Sequence, residues 1–193
     1  MRTYRGRRSV GKIFGYLLAM RMILSGLALV GYSFLIGDPL ASAAIFGKEP
    51  PTSGDLSLTV PEMRRVEDVP VITGPASDKS ALHDGTLHVN STGFPWQDGA
   101  NVFIAGHRMG FPGTKSFLVF NDLNALANGD EVILTDAEGT RYTYTVFEKF
   151  VVNPDAYYVT DPVPGRSVVS LQTCTLPNYA QRLIVQAELT SVA

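Results

Sequence analysis

Cys174 is the only cysteine among the 193 residues, so neither an internal disulfide nor a zinc site of several thiolates can be built from this chain. A lone thiol is either a small buried hydrophobe or a nucleophile. As a nucleophile it is weak until deprotonated, with an unperturbed pKa of ~8.5, and it needs a base or a positive charge beside it. Three histidines could serve. His83 lies in the polar turn Ala81-Leu82-His83-Asp84-Gly85 and reads as a solvated surface residue without a role. His88, between Leu87 and Val89, is either a polar residue of a strand wall or a supporting group near the site. His107 ends the apolar run Asn101 to Ala105 just after Gly106, where a strand breaks into a loop and functional side chains are often displayed.

The strands around Cys174 decide between its two readings. Side chains alternate along a strand, so Val169, Leu171 and Thr173 share one face, and Ser170, Gln172 and Cys174 share the other. The thiol therefore lies with polar neighbours at a strand end, where it is accessible. Leu183, Val185, Ala187 and Leu189 form the core face of the final run, and Arg182 opens that run on the opposite face. If the two strands pair antiparallel across Thr175 to Gln181, Cys174 and Arg182 come side by side.

The elements that must hold these groups are short. Candidate strands are Leu56 to Val60, Val69 to Ile72, Thr86 to Val89, Asn101 to Ala105, Glu131 to Thr135, Arg141 to Val152, Ser167 to Thr173 and Leu183 to Leu189. Asp136-Ala137-Glu138-Gly139 makes a glycine-bearing hairpin loop between the fifth and sixth. Phe117, Phe120, Leu123, Leu126 and Ala127 follow three-and-four spacing and predict a helix over Ser116 to Ala127, stopped by Asn128-Gly129. A helical turn is expected over Ser77 to Leu82. The pattern predicts an all-β fold, a closed barrel or sandwich, with one or two short helices.

Before the domain comes a different composition. Arg2, Arg5, Arg7, Arg8, Lys12 and Arg21 all precede the first acid, Asp38; subtracting these six from the net charge of −2 leaves about −8 on the remainder. An acidic body without a basic stripe excludes nucleic-acid binding. The apolar stretch Met22 to Ile36 covers only about 22 Å as a helix, and including Tyr16 to Met20 with Arg21 snorkelling lengthens it to a span. The expected organisation is a basic cytoplasmic tail over 1–12, a transmembrane signal-anchor over 13–37, a linker over 38–55 and an extracytoplasmic domain over 56–193. Ala41-Ser42-Ala43 offers the alternative of a cleaved signal peptide.

Ala105-Gly106-His107-Arg108, Leu171-Gln172-Thr173-Cys174 and Arg182-Leu183-Ile184-Val185 resemble the ordered His, Thr-x-Cys and Arg motifs of sortases. The likeness extends back through Leu82-His83-Asp84-Gly85, His88, Thr92 and Pro95, and covers the whole domain from Leu56 to Leu189. It implies a closed eight-stranded sortase-type β-barrel; no cofactor is expected, and no residue is assigned as a metal ligand. It also implies a cysteine transpeptidase that cleaves a C-terminal sorting signal between Thr and Gly through a thioester. The partners would be surface proteins bearing that signal and an amine of a peptidoglycan precursor or a pilin, met at the cell membrane. Cys174 would be the nucleophile, His107 the proton shuttle and Arg182 the group at the oxyanion, with Thr173, Arg108 and His88 as substrate-binding candidates. Cys174-Thr175-Leu176-Pro177 and Gly106-His107-Arg108 are most similar to the housekeeping-type class E, associated with L-A-x-T-G signals in place of L-P-x-T-G. No Asp-Pro-aromatic lid motif precedes the barrel, which argues against a pilus polymerase. Gln172 stands where Thr is commoner, and the loop Met109 to Ser116 carries its own Gly, Pro and Lys; both bear on substrate preference.

Two rival readings differ in a sequence feature. An L,D-transpeptidase acting on peptidoglycan should carry Ser-His-Gly-Cys, where this chain has Leu-Gln-Thr-Cys, and papain-like or NlpC-type hydrolases place Cys before His. A non-catalytic anchored β-domain that binds a surface partner would leave Cys174 no more reactive than a thiol in a model peptide.

Overall fold

The computed structural model describes residues 16, 20–26 and 51–193. Residues 20–26 are helical, and no helix among the described residues is long and apolar enough to cross a membrane. The expected anchor over 13–37 and the tail before it fall largely outside the described residues. Residues Pro51–Ala193 form one compact unit.

Eight strands follow one another as β1 (Leu56–Thr59), β2 (Val69–Gly74), β3 (Thr86–Val89), β4 (Asn101–Ala105), β5 (Glu131–Asp136), β6 (Arg141–Val152), β7 (Val168–Cys174) and β8 (Arg182–Val192). They close into a barrel in the order β1-β2-β3-β4-β7-β8-β6-β5, with β5 returning to β1. Closure leaves no unpaired sheet edge. Two pairs are parallel, β2 with β3 and β4 with β7, and the others are antiparallel.

Inward side chains fill the barrel: Leu58, Ile104, Leu134, Tyr144, Leu171 and Val185 are all buried in one cluster. Val169 and Leu171 point into it while Gln172 and Cys174 stay half-buried, which is the alternation expected for β7. A second, smaller cluster of Val89, Phe103, Val152, Val159 and Ile184 lies on the other side of the sheet. The β5–β6 hairpin turns where Asp136 Oδ1 accepts from the backbone N–H groups of Glu138 and Thr140, and Gly139 takes a positive φ of 84°.

Two expectations need correcting. The segment 116–127 is not an α-helix; it is a chain of turns with one 3-10 turn at Leu123–Ala125. Its N–H groups bond outside any helix, Leu118 to the Met109 carbonyl and Phe120 to the His107 carbonyl, and Leu118 sits at φ +56°. Of the residues in the three-and-four set, Phe120, Leu123 and Leu126 are buried, Phe117 is half-buried and Ala127 is exposed, while Val119, outside the set, is buried as well. The turn expected over Ser77 to Leu82 is displaced to α1 (Ala81–Asp84). Thr52 bonds Glu138 Oε1 through both its N–H and its hydroxyl, at 2.9 and 2.7 Å, fixing the lead-in to the β5–β6 loop.

Candidate active site

Cys174 ends β7 directly opposite Arg182, the first residue of β8. The intervening loop is closed on itself: the Thr175 N–H donates to the Gln181 carbonyl at 3.0 Å, and the Tyr179 N–H to the Thr175 carbonyl at 2.9 Å. Arg182 Nη1 donates to the Tyr179 and Gln181 carbonyls, both at 3.1 Å. Among the described residues no carboxylate pairs with this guanidinium, so its charge is uncompensated beside the thiol.

His107 arrives from the neighbouring strand. β4 and β7 run parallel with Ala105 opposite Gln172, and the Gly106 N–H continues the ladder to the Gln172 carbonyl at 2.9 Å. The ladder ends there, so His107 leaves β4 at the end where the parallel strand β7 carries Cys174. Gly106 is required for close approach: a Cβ there would lie 2.5 Å from Phe120 Cδ2, which packs beneath the loop. The Phe120 N–H, bonded to the His107 carbonyl at 3.1 Å, holds the loop from that side.

The His107 ring is half-buried, and burial foremost, then the charge of His83, holds its pKa below the ordinary value of 6.5. No described residue hydrogen-bonds either ring nitrogen. Its ring contact is Phe111, at 5.5 Å between centroids and 90° between planes. Phe111 also meets His83, at 5.3 Å and 35°. Asp84 Oδ1 lies 3.2 Å from His83 Nδ1.

Of the three candidate substrate contacts, Thr173 and His88 are engaged within the barrel wall, and Arg108 is engaged through Nη2 while its Nε is buried without a described partner. Thr173 is buried, and its hydroxyl donates to the Gly106 carbonyl at 2.9 Å, tying β7 to the His107 strand. Arg108 Nη2 donates to Asn124 Oδ1 at 2.7 Å, which fastens the His107 loop to the 3-10 turn. His88 is fully buried, with Nδ1 at 3.1 Å from Thr73 Oγ1 and Nε2 at 3.0 Å from the Gly93 carbonyl. It is a satisfied wall residue with no free edge for a ligand, which corrects its inclusion among substrate-binding candidates. His83 and Phe111 are the converse: the first reads as solvated in the sequence and the second carries no signal of its own, yet both rings reach His107's surroundings. The adjacency of Leu-His-Asp-Gly to the motif-bearing segment was the available sign for His83.

Among the described residues no cluster of three metal-ligating side chains occurs. Among the described residues the thiol of Cys174, the imidazole of His107 with neither nitrogen hydrogen-bonded, and the guanidinium of Arg182 with no paired carboxylate are a set suited to acyl transfer through a covalent thioester.

A model of the sortase domain matches residues 58–190. Among curated proteins, a Sortase A of Streptococcus agalactiae serotype III (strain NEM316) is 34% identical over 124 residues, covering 63% of this chain and 48% of its own. A Sortase A of Bacillus anthracis is 31% identical over 90 residues, covering 46% of this chain and 40% of its own. The chain thus spans half or less of the curated relatives it matches. Among solved structures, Sortase A from Corynebacterium diphtheriae superposes with a TM-score of 0.62 at 24% identity, over 75% of this chain and 63% of that one, a likeness of fold.

Proposed function

The chain belongs to the sortase family, and on that premise we propose that it is a membrane-anchored cysteine transpeptidase acting on C-terminal sorting signals outside the cytoplasm. What supports this reading is the register that sets Cys174 opposite Arg182, with His107 following β4 at the same end of the barrel, beside the parallel strand β7. In the first half-reaction the Cys174 thiolate attacks the carbonyl carbon of the Thr-Gly bond. A C–S bond forms, the C–N bond breaks, and the His107 imidazolium gives its proton to the departing glycine amine. In the second, an incoming amine loses a proton to His107 and displaces the thiolate, so that a new amide replaces the thioester.

Arg182 neutralises charge on the carbonyl oxygen as the tetrahedral intermediate forms, an interaction strengthened where water is excluded. Its two loop carbonyl partners orient the guanidinium without cancelling its charge. Thr173, bonded to Gly106, keeps the nucleophile strand in register with the acid–base strand. The basic residues before Asp38 set the amino terminus in the cytoplasm, and the acceptor is a peptidoglycan-precursor or pilin amine. The Cys174-Thr175-Leu176-Pro177 run favours the class E assignment with L-A-x-T-G signals.

The experiment is mass spectrometry after mixing the protein with L-A-x-T-G and L-P-x-T-G peptides. A thioester adduct on Cys174, more abundant with the first peptide and absent from Cys174→Ala, is expected. A Cys174→Ala protein that still released the glycine-amide product would overturn the nucleophile assignment.

A further inference from the structure

An acid–base histidine has to be oriented, and in the usual arrangement a third polar group hydrogen-bonds the imidazole nitrogen that faces away from the nucleophile. No described residue does so for His107. What its ring meets instead is Phe111, perpendicular and 5.5 Å away.

Phe111 has no core-packing reason to be where it is, since its surface is 51% exposed. The loop that carries it is nonetheless tightly fixed. The Leu118 N–H donates to the Met109 carbonyl at 2.9 Å, and the Thr114 hydroxyl to the Phe111 carbonyl at 2.8 Å. Ser116, fully buried, bonds Thr114 Oγ1 at 2.8 Å and accepts weakly from the Phe111 N–H at 3.4 Å. Gly110 turns the chain at φ +62°, where a side chain would run into the Ser116 carbonyl. A large apolar ring is therefore displayed at the surface from a rigid frame, against the imidazole. A second aromatic, His83, packs on the same ring at 5.3 Å and is itself held by Asp84.

From this geometry we infer that Phe111 is a positioning residue for His107: its ring fixes the plane of the imidazole, which no described residue hydrogen-bonds, and His83 with Asp84 braces Phe111. This rests on the transpeptidase reading and deepens it. Perpendicular aromatic pairs are stabilised because the positive edge of one ring meets the negative face of the other, and the attraction weakens as the angle changes. Such a contact restricts the imidazole's rotation and leaves both nitrogens open for proton transfer. The titratable group shown to act on His107 is His83 on α1, which Asp84 neighbours at 3.2 Å.

The test compares Phe111→Leu, which keeps apolar bulk without a ring, with Phe111→Tyr, which restores the ring, using a sorting-signal peptide. The expected result is a kcat lowered ~3- to 10-fold in Phe111→Leu, consistent with the strength of one aromatic pair, with KM unchanged and the loss recovered in Phe111→Tyr. His83→Gln, which removes the brace from outside the loop, lowers kcat in the same direction by less, and it keeps the question answerable should Phe111→Leu not fold. A raised KM at constant kcat would make Phe111 a substrate contact and overturn the inference. So would wild-type kinetics in both Phe111→Leu and His83→Gln. Failure of the wild-type protein to form any thioester is a different outcome: it removes the transpeptidase reading itself, and this inference with it.

Discussion

His88 and His107 sit on adjacent antiparallel strands, His88 within β3 and His107 two residues beyond the end of β4, and burial is the leading cause that lowers the pKa of both. Their surroundings differ in one respect. His88 has Thr73, Thr92 and the Gly93 carbonyl on its nitrogens and Phe94 at 4.6 Å against its ring, with Trp96 stacked behind. His107 has an aromatic neighbour and no described hydrogen-bond partner. A buried polar group whose bonds are all made contributes to a stable wall; one held by shape alone, beside a thiol, keeps its nitrogens for a substrate. Sequence context already sets His107 at a strand end and His88 within a strand, and the satisfied bonds show what that difference means: the ring of His88 is fully engaged.

The largest effect that sharpens this contrast is expected from His107→Ala. Acid–base work is worth ~10²- to 10⁴-fold, so turnover of a sorting-signal peptide should fall by at least that range while the thermal midpoint stays near wild type. A protein that unfolds instead would make His107 a second His88. Arg182→Ala should follow, with kcat lowered ~10²- to 10³-fold as for loss of an oxyanion donor; unchanged kcat would leave the guanidinium as a mere clasp on the β7–β8 loop.

His88→Ala should show the reverse pattern. Leaving Thr73 and the Gly93 carbonyl without partners costs ~1–3 kcal/mol, read as a lower urea midpoint, whereas alkylation of Cys174 proceeds at the wild-type rate. Loss of thiol reactivity without loss of stability would move His88 into the site.

The smallest effect is on pH dependence. The folded state holds His88 below its ordinary pKa of 6.5, so below that pH the unfolded chain binds more protons than the folded one. The stability from neutral His88 is complete above about pH 6.5 and declines as pH falls through the window beneath it. The urea midpoint should drop across that window, and less steeply in His88→Gln. Equal slopes would assign the dependence to other groups, His107 among them.

Much of the barrel was legible because its strands are punctuated by turn residues: β3, β4 and β6 fall where the pattern puts them, and Cys174 faces Arg182 as the alternation and loop length require. The helix over 116–127 was misread because apolar spacing does not fix how the backbone coils, and here Phe120, Leu123 and Leu126 are buried by turns whose N–H groups bond the Met109 and His107 carbonyls, contacts across a loop that no local pattern encodes. His83 is exposed as its polar turn suggests, and its meeting with Phe111, which joins α1 to the β4–β5 connection, is a long-range contact that no local pattern encodes.

Residue order and periodicity thus determined which side chains lie on which face, because alternation is a property of the extended backbone itself. Only closure of the barrel decided that β4 would lie parallel to β7, that one histidine would have its nitrogens occupied and the other left open, and that an exposed phenylalanine would stand against the second. Those outcomes depend on groups distant in sequence competing for the same hydrogen bonds and the same space, and that competition exists only once the chain is folded.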